Sequence, residues 1–311
     1  MRLLAAFLRL VRLPNLFFIF LTQFLFYFCI LKPVVKTVTI DQTQFILLTV
    51  ASVLIAAAGY IINDYFDVDI DQVNKPQKNV VDFIVSRRWA ILWHFVLSGA
   101  GVLLSLYVSW KTGLWYIVIA NLVCVFLLFG YSVSLKQKLL SGNIVISLLA
   151  AWVILVLCLS EFRFSFAGNT DATSLHAQNE VMKLGFLYAG FAFVTTLIRE
   201  AIKDMEDFEG DERYGCKTMP IVWGIPATKV YIAVWLIVLV AVLVVIQVYV
   251  IRFRWWLPVL YSLFFIIAPL GNVFFRLFKA KSPREFHSLS NLSKYIMLSG
   301  ILSMLFFYFY L

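Results

Sequence analysis

Long apolar runs alternate with short polar stretches along the whole chain. Each run is about 17–23 residues, the length that an α-helix needs to cross the hydrocarbon core of a bilayer. No polar stretch between runs is long enough to hold a soluble domain. The pattern predicts an all-α, polytopic membrane protein, with nine transmembrane helices in one domain over residues 1–311. The predicted spans are approximately 13–31, 44–62, 91–109, 114–132, 144–160, 183–198, 228–250, 256–275 and 293–311.

Composition and charge agree with a membrane protein and add an orientation. The chain is 62% hydrophobic and only 14% charged, which excludes an ordinary soluble domain. Its net charge of +9 does not require a nucleic-acid partner, because the basic residues are distributed unevenly across the predicted spans. Nineteen of the 26 Lys and Arg residues fall on one side. The positive-inside rule then places the amino terminus in the cytoplasm and the carboxyl terminus outside.

The beginning of the chain and one later run depart from a simple spanning pattern. The first fourteen residues are basic and apolar but lack a small-residue cleavage site, so they predict an interfacial helix rather than a removable signal peptide. The eighth run is interrupted by Pro269 and Gly271, which makes its helix the least regular of the nine. The histidines and cysteines are dispersed, and their spacing indicates neither a zinc site nor a disulfide framework.

Two acidic clusters share one spacing. Residues 63–71 read N-D-Y-F-D-V-D-I-D, and residues 203–211 read K-D-M-E-D-F-E-G-D. Both contain D-x-x-D-x-x-x-D, and corresponding aspartates are 140 positions apart. Residues three, four and seven apart lie on the same side of a helix, so each set is predicted to line one helix face. The aspartates are Asp64, Asp67 and Asp71 in the first cluster and Asp204, Asp207 and Asp211 in the second.

This arrangement favours divalent cations bound together with an anionic ligand. Like charges on one helix face repel, so a cation is expected beside them. Mg²⁺ takes hard oxygen ligands and typically binds through one or two carboxylates plus substrate phosphates. The two clusters could each hold one ion and clamp a diphosphate between them. An EF-hand over residues 67–78 is excluded, because Gln72 and Lys78 stand where that loop needs glycine and glutamate.

Basic residues for the same phosphates lie on the same predicted side. Lys75 and Lys78 follow the first cluster, and Lys136 follows the segment Tyr131–Leu135. Arg199 and Lys203 precede the second cluster at four-residue spacing, which puts them on one helix face. We predict that these five cations bind phosphate. The alternative for each is an ordinary topology signal of the positive-inside type.

The two motifs resemble those of the UbiA superfamily of intramembrane prenyltransferases. The resemblance implies a bundle of nine helices around a central cavity, with both motifs at its cytoplasmic end. It also implies an allylic isoprenyl diphosphate as donor, a lipophilic acceptor and required Mg²⁺. Asn63 joins the aspartates as a metal ligand, and Asn15 and Asn63 join the substrate-binding residues. The matching segments are Arg12-Leu13-Pro14-Asn15, N-D-x-x-D-x-x-x-D at 63–71, Asn74-Lys75-Pro76, residues 131–136, D-x-x-D-x-x-x-D at 204–211, and Lys217-Thr218-Met219-Pro220 with Gly224.

The implied reaction makes chemical sense of these parts. Loss of diphosphate from an allylic carbon leaves a carbocation, and cations beside the leaving group stabilise its developing charge. A lipid-embedded cavity keeps water away from the carbocation. An aromatic face can stabilise it as well, and Tyr131 is assigned that position.

The acceptor is less constrained than the donor. Residues 199–204 most resemble family members that alkylate geranylgeranylglyceryl phosphate, and the alternative is an aromatic or quinone precursor. Residues 77–82 lack the second proline and the glycine that often follow the first motif, which bears on acceptor choice.

Two other classes of membrane protein stay open as alternatives. A cation-coupled transporter also binds cations through carboxylates, but its site usually lies near the bilayer midplane. A CDP-alcohol phosphotransferase uses membrane-edge aspartates and magnesium, yet its D-G-x-x-A-R opening is missing from both clusters. A non-catalytic scaffold would leave the repeated motif without a cause.

Overall fold

The computed structural model describes residues 2–35, 38–74, 81, 85–161 and 172–310, and these residues are predominantly helical. Two short π-helical segments, Phe26–Leu31 and Leu263–Ile267, and a 3-10 turn at Leu135–Gln137 complete the helical structure. The α-helices are α1 (Arg2–Leu10), α2 (Leu13–Leu25), α3 (Lys32–Val34), α4 (Gln42–Phe66), α5 (Val68–Asn74), α6 (Arg87–Thr112), α7 (Trp115–Val133), α8 (Ser141–Ser160), α9 (Ala172–Glu206), α10 (Phe208–Arg213), α11 (Met219–Val222), α12 (Ile225–Ile251), α13 (Trp256–Ser262), α14 (Ala268–Lys279), α15 (Pro283–Leu302) and α16 (Leu305–Tyr310).

Nine helical stretches of the described chain are long and apolar enough to cross a membrane, which confirms the predicted number. Most of them extend beyond the apolar runs of the sequence, because the helices continue into polar residues at the membrane faces. The protein is an integral, multi-pass membrane protein. The spans are Leu13–Val34, Gln42–Phe66, Arg87–Thr112, Trp115–Val133, Ser141–Ser160, Leu175–Glu206, Ile225–Ile251, Trp256–Lys279 and Pro283–Tyr310.

The ninth span begins ten residues before the predicted position 293. Ser282 and Glu285 form a capping box: the Ser282 hydroxyl accepts from the Glu285 backbone N–H, and the Glu285 carboxylate accepts from the Ser282 backbone N–H. Pro283 occupies the first turn, where its missing N–H costs nothing. The apolar pattern did not predict this start, because the first turns of the helix carry charged and polar side chains. As a result, Lys294 lies well inside the helix rather than at its end.

Proline explains the two irregular spans. The π-helical segments lie directly before Pro33 and Pro269, in the first and eighth spans. Proline cannot donate a backbone hydrogen bond and clashes with the carbonyl four residues earlier. A wider π turn accommodates that clash without breaking the helix. The interruption predicted at Pro269 is therefore a local widening of a continuous span.

The helices pack closely inside the bundle, and the outer surface of the bundle is apolar. At Gly101 of α6, an added Cβ would lie 2.7 Å from Ile55 Cγ1 and 3.0 Å from the Ala51 carbonyl oxygen of α4. Only glycine permits this approach, which brings the two helices together. On the outside, Phe126 and Val245 remain 67% and 68% exposed, as expected for side chains that face lipid.

The predicted amino-terminal helix is confirmed as α1 and is packed onto the bundle. Leu10 is fully buried and belongs to an apolar cluster with Ala6, Leu16 and Ile61. This packing fixes the position of Arg12, which immediately precedes α2 and has a left-handed backbone with φ 52°. The start of the chain thereby directs a charged side chain toward the helix bundle.

Candidate active site

A cavity of about 870 Å³ lies between the helices. Its lining along α9 runs from Tyr188 to Glu206, which corresponds to a length of about 27 Å at the usual helical rise. The polar end carries both acidic motifs, and much of the remaining wall is apolar, with side chains such as Ile55, Leu128 and Met297. The cavity therefore joins a highly charged mouth to a long apolar chamber.

Both acidic motifs have the same local geometry. Helix α4 ends at Phe66 and α5 starts at Val68, so the central Asp67 stands at a break with φ −90° and ψ −2°. In the second motif Asp207 separates α9 from α10 with φ −92° and ψ 8°. These angles fall in the sparsely populated bridge region where active-site residues are often found. The predicted single helix face is thus a helix, a one-residue break and a short second helix.

The short helices α5 and α10 bring the motifs into direct contact. The backbone N–H of Gly210 donates to the side-chain oxygen of Asn74 at 2.9 Å. A Cβ at Gly210 would lie 2.4 Å from that oxygen, so the approach requires glycine. One acidic motif is therefore docked on the residue that ends the other.

The carboxylates of the first motif are held by basic and amide groups. Arg12 donates to Asp64 at 2.7 Å, and Lys136 forms an ion pair with Asp67. Asn63 also donates to Asp67, at 2.7 Å. Burial opposes the charge of Lys136, but the attraction of Asp67 outweighs it and raises the pKa of Lys136. The same balance of burial and attraction to Asp64 raises the pKa of Arg12.

The residues around the second motif form a separate network. Asn143 of α8 donates to Asp204 at 2.8 Å. Arg199 and Lys203 both pair with Glu200, at 2.5 Å and 3.2 Å, rather than with an aspartate of the motif. Glu200 is buried and lines the cavity. These contacts hold two cations beside the acidic motif on the same helix.

The donor set fits Mg²⁺ bridged to a ligand rather than enclosed by protein alone. Within the described ranges, no three acidic, histidine or cysteine side chains converge on one metal position. Mg²⁺ usually keeps several waters and binds through one or two carboxylates plus substrate phosphates, which needs no such cage. The side-chain oxygen of Asn63 is buried and has no hydrogen-bond partner, which leaves it available as a hard oxygen ligand.

Every described residue of the predicted site lines the cavity. Lys75 and Lys78 lie outside the described residues. The twelve others all line the cavity: Asn15, Asn63, Asp64, Asp67, Asp71, Tyr131, Lys136, Arg199, Lys203, Asp204, Asp207 and Asp211.

Sequence reasoning missed several polar side chains that line the same mouth. Asn143 had no motif to mark it. The stripe on α15 could have been found from polar residues three or four positions apart in an apolar span, a spacing that puts them on one face. The lining residues that the sequence did not assign to the site are Arg12, Asn143, Glu200, Glu206, His287, Ser290, Asn291 and Lys294.

Comparison with known proteins indicates the family of this chain. A sequence profile described as the UbiA prenyltransferase family matches residues 13–307. A protein of Methanosphaera stadtmanae named digeranylgeranylglyceryl phosphate synthase is 30% identical over 167 residues, which are 54% of this chain and 53% of that protein. The chain thus spans about half the length of the curated relatives it matches.

Solved structures share the fold. The apo form of a UbiA homologue from Aeropyrum pernix K1 superposes with a TM-score of 0.64 and 15% identity, covering 92% of this chain and 98% of that one. A UbiA homologue from Archaeoglobus fulgidus bound to DMAPP and Mg²⁺ gives a TM-score of 0.56 and 17% identity, covering 96% of this chain and 98% of that one. Because the family profile runs from the start of the first span into the last helix of the ninth, the chain belongs to the UbiA prenyltransferase family.

Proposed function

We propose that this chain is a Mg²⁺-dependent prenyltransferase that moves an isoprenyl group from an allylic isoprenyl diphosphate to a lipophilic acceptor. The observation that carries the proposal is the cavity itself, which has two acidic motifs at its mouth and a long apolar wall behind them. A diphosphate needs the charged end, and an isoprenoid tail needs the apolar chamber. Both parts of one substrate are therefore accommodated in one continuous space.

The acidic motifs would hold magnesium at the diphosphate. Mg²⁺ bound there supplies positive charge that stabilises the departing diphosphate. Lys136, Arg199 and Lys203 would contact the same phosphates, together with Asn15 at the start of α2 and with Lys75 and Lys78. The proposed ligands are Asn63, Asp64, Asp67, Asp71, Asp204, Asp207 and Asp211.

The chain's own side chains would protect and orient the reacting carbon. As the C1–O bond of the allylic diphosphate breaks, positive charge develops on the isoprenyl group, and an acceptor oxygen or carbon forms the new bond and loses a proton. Tyr131 lines the cavity beside the acidic mouth, where its ring can stabilise that charge. The apolar wall excludes water, which would otherwise capture the isoprenyl cation.

The acceptor that we propose is geranylgeranylglyceryl phosphate, with geranylgeranyl diphosphate as donor. The name of the Methanosphaera relative supports this acceptor, and the DMAPP and GPP complexes of the Archaeoglobus homologue support an allylic diphosphate donor with Mg²⁺. An aromatic or quinone precursor is the competing acceptor. It would use the same donor site and differ only at the acceptor end.

We also propose that residues 1–311 form one domain with its active site at the cytoplasmic face. Six of the described spans line a shared cavity, which supports a single folding unit. Most Lys and Arg residues lie on the side of the bundle that carries both acidic motifs, which favours the cytoplasm for that side. The amino terminus would then be cytoplasmic and the carboxyl terminus extracytoplasmic.

A transfer assay with purified full-length protein tests the proposal. Radiolabelled geranylgeranyl diphosphate is supplied with geranylgeranylglyceryl phosphate or with a prenylatable hydroxybenzoate, in the presence of Mg²⁺ or of a chelator. We expect Mg²⁺-dependent labelling of the glyceryl phosphate acceptor. Labelling of the hydroxybenzoate alone would contradict the proposed acceptor and favour an aromatic precursor. Absence of transfer to either acceptor, with cation flux in proteoliposomes, would contradict the enzyme and support a transporter.

A further inference from the structure

Helix α15 turns a polar stripe toward the cavity. His287, Ser290, Asn291 and Lys294 all line it, at spacings that place them on one helix face. Farther along the same face, Met297 continues the lining with an apolar side chain. Lys294 lies inside the ninth span, where an ionisable residue is expensive and usually functional. The stripe ends where the apolar chamber begins.

Lys294 belongs to a group of cations that has fewer ion-pair partners than charges. Arg12, Arg199 and Lys203 are all close enough to repel its charge, and Glu200 is close enough to attract it. These cations converge because α15 packs against both α2 and α9.

The partners of these cations can be counted. Asp64 pairs with Arg12, and Glu200 pairs with both Arg199 and Lys203. These four cations have two carboxylates as ion-pair partners, which leaves Lys294 without one of its own.

Two donors on this wall have no acceptor. Lys294 forms neither a hydrogen bond nor an ion pair within the described part of the chain. The Nε atom of Arg199 is buried and likewise lacks a hydrogen-bond partner. The buried Nε–H of Arg199 costs free energy while it lacks an acceptor, and an anion at this wall would supply an acceptor to Arg199 and Lys294 alike.

We infer that Lys294 binds the phosphate monoester of the acceptor, at an anion site separate from the acidic motifs. The inference rests on the proposed function and assigns the acceptor end of the same cavity. A metal-bridged diphosphate needs carboxylates, which the acidic motifs supply through Asp67 and Asp207. A phosphate monoester without a metal needs cations instead, and Lys294 offers a cation that no carboxylate pairs with. The carboxylates would thereby hold the metal-bound diphosphate of the donor, and Lys294 would hold the metal-free phosphate of the acceptor.

Kinetics of Lys294→Gln and Lys294→Arg test the assignment, with Lys279→Gln as a matched control. Lys279 is exposed at the end of α14 and does not line the cavity. We expect Lys294→Gln to raise the KM for geranylgeranylglyceryl phosphate roughly 10- to 100-fold with the donor KM unchanged. Lys294→Arg should restore most of the acceptor affinity, and Lys279→Gln should behave like the wild type.

A phosphate-free acceptor separates substrate phosphate from the phosphate of a bilayer lipid. With geranylgeranylglycerol, wild type and Lys294→Gln should have the same acceptor KM. An equal loss with both acceptors would mean that Lys294 holds a bilayer lipid or supports the fold, and it would overturn the inference. A change confined to the donor KM would overturn it too.

Direct binding distinguishes failure of this inference from failure of the proposed function. Glycerol phosphate is titrated calorimetrically into the purified full chain without any donor. Weaker binding to Lys294→Gln than to wild type supports the anion site, even if the wild type transfers no isoprenyl group. Identical binding to both proteins, or none to either, contradicts the site whatever the transfer assay shows.

Discussion

At the scale of single residues, the carboxylates of the site position its cations. Lys136 comes from the loop between α7 and α8 and reaches Asp67, while Arg12 enters from the segment before α2 and reaches Asp64. Long basic side chains lose considerable rotamer freedom when they bind a ligand. Holding them beforehand lowers that cost, so in the proposed function the same aspartates would order the phosphate-binding groups as well as ligate metal.

Substitution of Lys136 tests this role. We expect Lys136→Gln to raise the donor KM about 10- to 100-fold, because a charge-assisted contact to phosphate is lost. The measurement is steady-state transfer with varied donor at saturating Mg²⁺ and acceptor. Lys279→Gln removes the same charge from the same predicted membrane side and should leave the donor KM unchanged. Equal, small effects of both substitutions would reduce Lys136 to a topology signal.

At the scale of elements, the site is built from two broken helices that dock on one another. The break at Asp67 separates α4 from α5, and the break at Asp207 separates α9 from α10. The contact between Asn74 and Gly210 joins the two short helices. Each central aspartate therefore sits at a bend whose direction is fixed by the other motif.

Replacement of Gly210 by alanine should separate the motifs. The new methyl group would overlap the Asn74 side chain and displace its hydrogen bond, at a cost of about 1–3 kcal/mol in the free energy of unfolding. Gly271→Ala is the matched control, since a Cβ at that position of α14 meets nothing within 4 Å. Thermal unfolding and transfer rate are measured for both. We expect Gly210→Ala to lose stability and activity together, whereas Gly271→Ala stays neutral or gains about 0.5–1 kcal/mol from helix propensity. Wild-type behaviour of Gly210→Ala would show that the docking contact is dispensable.

The sequence was informative about these elements to different degrees. The matched spacing at 64–71 and 204–211 was enough to predict two related acidic segments at one site, because periodicity is a local property. The breaks at Asp67 and Asp207 could not be predicted, since no glycine or proline marks them and tertiary docking determines the bend. The cavity-facing stripe of α15 was missed for a different reason: the span was placed from its apolar residues, and that rule discards the polar first turns containing His287 and Asn291.

At the scale of the whole molecule, the bundle separates charge from apolar volume. All six aspartates of the motifs lie near one end of their spans, and the chamber extends along α9 toward Tyr188. The charged mouth faces the compartment at that end of the bundle, so the membrane orientation determines the side from which the diphosphate enters. From the positive-inside count we propose that the mouth faces the cytoplasm.

Cysteine labelling in intact cells tests the orientation. We expect Arg213→Cys, beside the second motif, to be protected from an impermeant thiol reagent, and Ala172→Cys, at the start of α9, to react. The native cysteines are buried and free, and a protein without added cysteines measures their background labelling. Permeabilised cells supply the positive control for position 213. Strong labelling of position 213 from outside, with none at 172, would invert the proposed topology.

The central claim is that both acidic motifs act on one diphosphate through Mg²⁺, and donor binding measures this most directly. Mg²⁺-dependent affinity for geranylgeranyl diphosphate is determined calorimetrically for wild type, Asp67→Ala, Asp207→Ala and Asp69→Ala, with folding checked by thermal unfolding. Asp69 belongs to the same cluster in sequence, but its side chain is 66% exposed and does not line the cavity.

We expect Asp67→Ala and Asp207→Ala each to weaken Mg²⁺-dependent binding by at least about a hundredfold and to abolish turnover, because each removes part of the charge that holds the metal-bound diphosphate. Asp69→Ala should bind like the wild type. Near-normal affinity and turnover in either folded variant, at saturating Mg²⁺, would contradict the two-motif site.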